Sequence, residues 1–575
     1  MEKKSFTYAI ALLVFILSLF PANAYDSFSV PPDVHIVLDP YSVVYEGDIV
    51  PCVVTGNVTC KYWQINNQSH HTTFFGVSPV VFDPEPTPLN ETFVNFTVVV
   101  ENEYGTDSET IPLMVKRIYF GDIHWHTTLC DGMYPLNKMY SNAVADHYLD
   151  FAAYTGHGEF IDRLDIGYWR VVFQNLLHYI RYGRNDWETI KSEAEDHYTP
   201  GEFTTFLGFE WSACQAYPGG FRQSKYGWED VSHVNFYYRD VYPEAMSYSA
   251  WEAHTYDDIF QKMSEEADKG HLNIGFTHHP LAKAYWMNVG NKHLFPISFT
   301  VNWSVLASKI ENSGARNRVF RGVEVYSQWG TAIGRFSELP ITWSYAEEAC
   351  CDKSDYWVES AFWEWSKHLQ GVPFVMIASS DIHRVDRPGS AQGRITTKPN
   401  PAGIVAVYAV HNTREEIWDA LNNCSAYASQ LLKIRANVRF DDQMALGQWI
   451  NCSSPLRIRI TAHSTFPGED CSGKTMCPHG YLDTELAYPV QDIWLLKKDR
   501  IRGQPWCTVV GHVTPDRSLA VVNFEDYDVQ PNDFYFVAIR QKGQLVDPDT
   551  GVDEYMAFLG PVFINQVNLG TEESG

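Results

Sequence analysis

Basic residues are the scarce class in this chain: 43 Lys and Arg stand against 70 Asp and Glu, a formal charge of −27. A field of that sign repels nucleic-acid polymers and anionic membranes at long range, so no nucleic-acid polymer is expected as a partner. A phosphate-bearing substrate would need positive charge concentrated locally. Long apolar runs are lacking beyond Tyr8 to Phe20, so no membrane span is expected later in the chain. Internal repeats and low-complexity tracts are also absent, which leaves out a repeat array. The tail NLGTEESG has neither a retention signal nor an apolar anchor. Core-forming material is plentiful: 45% hydrophobic and 15% aromatic residues over 575 positions suffice for three or four packed domains.

Residues 1–24 read as a cleaved secretory signal, with Lys3 and Lys4 before the apolar run and Ala22 and Ala24 at the end. Seven Asn-x-Ser/Thr sequons, at Asn57, Asn67, Asn90, Asn95, Asn302, Asn423 and Asn451, fit a secreted, extracellular chain carrying N-linked glycans. Eleven cysteines in an oxidising compartment predict disulfides with at least one thiol left over, and Cys52/Cys60, Cys424/Cys452 and Cys471/Cys477 are the candidate pairs.

Residues 25–116 alternate apolar and polar positions between Gly, Pro, Asn and Asp turns, as in HIVLDPYSVVYEGD and NFTVVVENEYG. This predicts an immunoglobulin-like β-sandwich, with VTGNVTC as a hairpin bringing Cys52 near Cys60. Residues 117–430 have α/β texture. TYDDIFQKMSEEADKG is a helix ending near Gly270, followed by a strand to Thr277, and SAFWEWSKHLQG again precedes a strand. NTREEIWDALNN opens a helix in which Thr413 and Glu416 match a capping box. Repeated βα units imply a mainly parallel sheet or barrel. Residues 431–575 return to β texture through KIRANVRF, LRIRITA, VQDIWLLKK and DFYFVAIRQ, and a second sandwich is expected.

The middle section carries the chemistry. In GDIHWHTTLCDG, a strand through His126 turns His124 and His126 to one face, with Asp131 five residues on. Further strand ends supply His157, Glu210, His278 with His279, and Asp381 with His383, while His233 starts a strand and Glu324 lies within one. Imidazoles and carboxylates together suit two or three divalent ions such as zinc, manganese or iron, and the C-terminal ends of strands are where α/β barrels build active sites. Glu324 reads as a ligand, a partner to an imidazole, or an interior polar residue, with the second preferred. His147, His178 and His368 fall on expected helices and read as packing or surface residues. Cys130 and Cys214 lie near candidate ligands and read first as buried thiols, and Cys350-Cys351 has no functional account.

GDIHWHTTLCDG, YTGH, GFEWS, THHP and SSDIHRVDRPG together resemble the successive motifs of the polymerase and histidinol phosphatase (PHP) superfamily of metal-dependent phosphoesterases. The nearest likeness is to an uncharacterised branch sharing SSDxHxxxxPG, a following GIVAVYA-like strand and a β-rich C-terminal region. The resemblance runs from Ile118 to the C-terminus. It implies a distorted (β/α)7 barrel with two or three metal ions: His124, His126, Glu210 and Asp381 on one, Glu210, His233 and His278 or His279 on a second, Asp131, His157 and His383 on a third. The chain departs from the family in having Gly156 where Asp is usual before His157, and Cys130 where Ser is usual.

The function expected is hydrolysis of a small phosphorylated substrate by metal-activated water, with Arg384 and Arg387 gripping a phosphate oxygen or forming a loop salt bridge. Amide or lactone hydrolysis uses the same chemistry, and the lack of a lysine at a strand end disfavours it. A cell-surface binding protein with an inactive barrel is the third reading, and the full ligand set argues against it.

Overall fold

The computed structural model describes residues 30–70, 74–145, 149–158, 161, 186–212, 233–249, 252–253, 255–278, 285–289, 292–297, 320–327, 330–331, 374–384, 388, 403–430, 433–463, 489–499, 508–542 and 554–569. The expected leader 1–24, His147, His178, His279, His368, Arg387, Asn302, Cys214, Cys350, Cys351, Cys471 and Cys477 lie outside them. The fold is mixed α/β and mostly β. In chain order the first strands are β1 (Asp33–Ile36), β2 (Val43–Tyr45), β3 (Cys52–Thr55), β4 (Cys60–Ile65), β5 (Gln68–His70), β6 (Phe74–Phe75), β7 (Ser78–Pro79), β8 (Val94–Asn102) and β9 (Gly105–Asp122). Then come α1 (Leu136–Val144), β10 (Phe151–Ala153), α2 (Asp186–Asp196), β11 (Thr204–Ser212), β12 (His233–Tyr238), α3 (Tyr256–Asp268) and β13 (Asn273–His278). These are followed by β14 (Tyr285–Val289), β15 (Lys292–Ile297), β16 (Phe320–Ser327), β17 (Gly330–Thr331), β18 (Val375–Ala378), β19 (Gly403–Ala409), α4 (Arg414–Asn422) and β20 (Ala426–Gln430). The last are β21 (Arg435–Phe440), β22 (Trp449–Ser454), β23 (Leu456–His463), β24 (Val490–Asp499), β25 (Thr508–Val513), β26 (Leu519–Asp526), β27 (Asp533–Lys542) and β28 (Glu554–Leu569). Among the described residues no helix is long and apolar enough to cross a membrane.

The chain divides into two compact units, the smaller comprising residues up to Val44, Ile49–Glu85 and Phe93–Met114, the larger comprising Tyr45–Asp48, Pro86–Thr92 and Val115–Gly575. In the smaller, β8 pairs antiparallel with β4 on one side and with the first part of β9 on the other. Two-residue periodicity turns Phe96, Val98 and Val100 inward, and Trp63 stacks on Phe96 at 5.6 Å. The expected hairpin through VTGNVTC is not formed: β3 pairs with β1 in a separate two-stranded sheet. The Cys52/Cys60 bridge is therefore absent, and Cys52 is a buried free thiol whose pKa burial and the nearby Glu109 charge push up to about 12.

In the larger unit the pairings run in series: the end of β9 with β10, β10 with β11, β11 with β12, β12 with β13, β13 with β16, β16 with β18. A parallel bridge between Trp125 and Ile382 then joins the segments following β18 and β9. There the His126 N–H donates to the Ile382 carbonyl (2.9 Å) and the Asp381 N–H to the His124 carbonyl (2.7 Å). The sheet is less parallel than expected, because β12 runs antiparallel to both neighbours. Local chemistry sets the helices. Thr255 caps α3 with a reciprocal capping box to Asp258, and Gly270, at φ +91°, takes the left-handed turn after it. At α4, Thr413 accepts from the Glu416 N–H, but the capping box is incomplete: the Glu416 carboxylate turns back to the N–H groups of Val410 and His411.

Beyond the ring, β21, β23 and β26 form an antiparallel sheet, and β24 pairs with β25 and β27, which continues to β28. The Cys424/Cys452 bridge is not made either: both are buried thiols outside any disulfide, and they belong to different packed cores.

Candidate metal centre

The centre lies where the paired strands of the larger unit end. After β9 the chain stays extended, so His124 and His126 face one way while Trp125 turns to the other side, edge-on to Tyr140 and Tyr154 at 5.0 and 5.5 Å. Glu210 points inward from the end of β11, and His278 closes β13. The reversal of β12 explains how a residue that starts a strand joins residues that end theirs: His233 pairs with Ser212 on one side and His278 on the other. Asp381 follows β18 with φ +53°, a left-handed conformation that a residue with a side chain adopts at a cost of about 1–3 kcal/mol. Such strain persists where surrounding structure imposes it, and here the Asp381 N–H is held by the His124 carbonyl.

The side chains converge. Asp381 Oδ1 lies 3.3 Å from His124 Nε2 and 3.0 Å from His126 Nε2. Glu210 Oε2 lies 3.6 and 3.4 Å from the same two nitrogens, and Glu210 Oε1 lies 3.0 Å from His278 Nε2 and in very short contact with His233 Nδ1. On the other side, Asp131 Oδ2 approaches His157 Nε2 at 3.5 Å and His383 Nε2 at 3.4 Å. Four groups have donor atoms all within 4.8 Å of one another: His126–Asp131–His157–His383, His124–His126–Glu210, His124–His278–Asp381 and His157–Glu210–His233.

Burial is steep across this assembly. The side chains of His124, His126 and Glu210 are 0%, 1% and 1% exposed, whereas Asp131 is 25% and His383 16% exposed. The Asp131–His383 side is thus the open one. Electrostatics couple the groups strongly. Burial alone would strip His124 of its proton, yet Asp381 and Glu324 outweigh it and raise the pKa to about 10. Burial likewise opposes protonation of His157, and Glu210 with Asp131 reverses it, raising the pKa well above its ordinary value. Glu210, despite burial, is held well below the usual carboxylate range by His157, His278 and His233.

Three atoms decide whether a cation fits. His124 Nε2, His126 Nε2 and Glu210 Oε2 are buried and make no hydrogen bond of proper geometry, although they face one another. Leaving such atoms unsatisfied costs about 1–3 kcal/mol each, more for charged groups. Two imidazole nitrogens and a carboxylate oxygen, orphaned together, are the donor set a divalent cation takes. The residues therefore fit a divalent metal.

A supporting layer lies behind them. His124 Nδ1 is 2.9 Å from Glu324 Oε2, which also accepts from Ser379 Oγ at 2.8 Å. Asp122 accepts from the N–H groups of His124 and Ser380. Cys130 Sγ lies 3.4 Å from His126 Nδ1. Gly156 is demanded by packing: a Cβ there would stand 1.8 Å from the Tyr154 hydroxyl oxygen and 3.0 Å from Cys130 Sγ. Arg384 is exposed next to His383. Sequence reasoning missed Ser212, Ser379 and Asp122. Ser212 and Asp122 are each two residues from a candidate ligand and so share its face.

The family model described as "Protein of unknown function (DUF3604)" matches residues 136–332 and 309–442, more than half of the chain. The chain belongs to the DUF3604 family. The DUF3604 match takes in His157, Glu210, His233, His278, Glu324, Asp381 and His383, while His124, His126 and Asp131 precede it. No curated protein matches the chain. Among solved structures, a two-domain protein from Bacteroides vulgatus containing a predicted PHP-like metal-dependent phosphoesterase aligns at 14% identity, over 77% of this chain and 95% of that one, with a TM-score of 0.31. A superposition so loose carries no argument about this DUF3604 chain.

Proposed function

We propose that this DUF3604 protein is a secreted metal-dependent hydrolase of phosphate esters. In this reading residues 117–430 form a distorted (β/α)7 barrel of PHP type, flanked by an immunoglobulin-like sandwich at 25–116 and a second sandwich at 431–575. The carrying observation is the orphaned trio His124 Nε2, His126 Nε2 and Glu210 Oε2, buried and convergent. The motif resemblance supplies the reaction class.

His124, His126, Glu210 and Asp381 would hold one cation. Glu210, His233 and His278 would hold a second, and Asp131, His157 and His383 a third. A divalent cation there supplies Lewis acidity toward a phosphoryl oxygen and acidifies a water to near neutrality. Glu324 fixes His124 by holding its Nδ1, so that Nε2 points to the centre. Bulk water is excluded from the His124–Glu210 side by burial, and substrate enters past Asp131 and His383. Arg384, exposed at that edge, supplies positive charge that an anionic ester needs near an acidic protein, and Arg387 would add to it.

Secretion and N-glycosylation form part of the proposal. The sequon asparagines at 57, 67, 90, 95, 423 and 451 are all exposed, which supports it. The test of the reaction is turnover of a phosphomonoester and phosphodiester panel, alongside amides and lactones, by protein loaded with zinc, manganese or iron. Phosphoester turnover that disappears in the His124→Ala/His126→Ala variant is expected. Protein with bound cation that cleaves no phosphoester overturns the proposal, and cleavage of amides or lactones alone would reassign it.

A further inference from the structure

We propose that Ser212 is a positioning residue of the cation centre: its hydroxyl commits His157 to offering Nε2, assigning that imidazole to the Asp131–His383 group and not to the Glu210–His233 group. The inference rests on the cation-binding reading above.

His157 belongs geometrically to both groups. Its Nε2 faces Asp131 Oδ2 at 3.5 Å, and its Nδ1 lies 3.1 Å from Glu210 Oε2. Either nitrogen could serve a cation, so something else must choose. Ser212 is wholly buried at the end of β11, two residues past Glu210 and therefore on its face of the strand. Its Oγ lies 2.8 Å from Glu210 Oε1 and 2.8 Å from His157 Nδ1.

A serine hydroxyl has a single proton, and an ionised carboxylate only accepts. The proton of Ser212 therefore goes to Glu210, and Oγ meets His157 as an acceptor. That requires the imidazole proton on Nδ1, which leaves the lone pair of the neutral ring on Nε2. Two neighbours obey the same rule: His124 Nδ1 is held by Glu324 at 2.9 Å and His383 Nδ1 by the Asp381 carbonyl at 3.0 Å. At Ser212 the acceptor is itself bonded to a proposed ligand, so one hydroxyl couples the orientation of Glu210 to the tautomer of His157.

The test compares Ser212→Ala and Ser212→Thr with the native chain by zinc equivalents at fixed free zinc, by the absorption spectrum of the cobalt form, and by thermal midpoint as the folding control. Ser212→Ala should weaken one equivalent by about 10–100-fold and change the cobalt spectrum. The weakened equivalent should be the one removed by Asp131→Asn, with no further loss in the double variant, and Ser212→Thr should restore it. A folded Ser212→Ala protein with native zinc affinity overturns the proposal, as does a loss that coincides with that of His233→Gln. Long-range ¹H–¹⁵N correlations of His157 in the zinc-loaded native chain decide independently of any substitution: zinc on Nε2 supports the proposal, zinc on Nδ1 overturns it. A native chain that binds no zinc, manganese or iron defeats the cation reading itself, whereas tight binding indifferent to Ser212 defeats only this inference.

Discussion

At the scale of single residues, the centre is organised by what stands behind each imidazole. Glu324 is buried, holds His124 Nδ1 and receives Ser379 Oγ, so its negative charge both orients the ring and makes Nε2 a better donor. Glu324→Gln should keep the fold and weaken cation binding by about 10–100-fold, read by competition with a zinc chelator; unchanged affinity would show that the contact is incidental. The pair His124/His126 was legible in the sequence because a two-residue spacing on an extended chain fixes a common face, whereas Asp381 and His383 converge through the left-handed turn at Asp381, which the spacing alone does not show. Ser212 was not, because its role depends on His157, 55 positions away in the chain, and serine is too common to single out.

At the scale of elements, capping and strand direction carry the argument. The α3 capping box, written as Thr255 followed by Asp258, is complete, and Thr255→Ala should cost about 1 kcal/mol, seen as faster amide exchange across 256–268. At α4 the departure from the expected box creates a different device. The Glu416 carboxylate holds His411 Nδ1 at 2.5 Å, while His411 Nε2 meets the carbonyls of Pro88 and Glu91 at 3.1 and 2.8 Å. Both ring nitrogens face acceptors, so the ring must be doubly protonated to satisfy them. Burial opposes that charge, but Glu416 and the two carbonyls prevail and raise the His411 pKa. A histidine pKa raised by folding adds stability that is full below the unfolded value of about 6.5 and fades as pH climbs through the folded value. The native thermal midpoint should therefore exceed that of His411→Gln at pH 6 and converge toward it at pH 9; a gap independent of pH would contradict this. The antiparallel course of β12 was not legible, since alternation and apolar content are the same for either direction, and only the pairing of His233 with Ser212 and His278 reveals it.

At the scale of the whole molecule, cysteine chemistry and the central claim can both be tested. Cys52, Cys130, Cys424 and Cys452 are buried thiols outside any disulfide, contrary to the pairing that proximity in sequence suggested. Spacing along a chain says nothing about which sheet or core a residue joins: Cys52 and Cys60 begin strands of different sheets, and Cys424 and Cys452 sit in different cores. Denatured protein prepared without reductant should titrate at least four thiols, and fewer would restore one of those bridges. The mixed α/β and mostly β character was legible from texture, because period-2 alternation and helical punctuation differ locally. The circuit of pairings closed at Trp125 and Ile382 was not, since it joins segments far apart in the sequence. The most direct test of the account is anomalous diffraction from crystals of the zinc-loaded protein. The account predicts a peak about 2.0–2.1 Å from both His124 Nε2 and His126 Nε2 with Glu210 or Asp381 oxygen beside it; zinc bound elsewhere, or no peak among these side chains at saturating zinc, would contradict it.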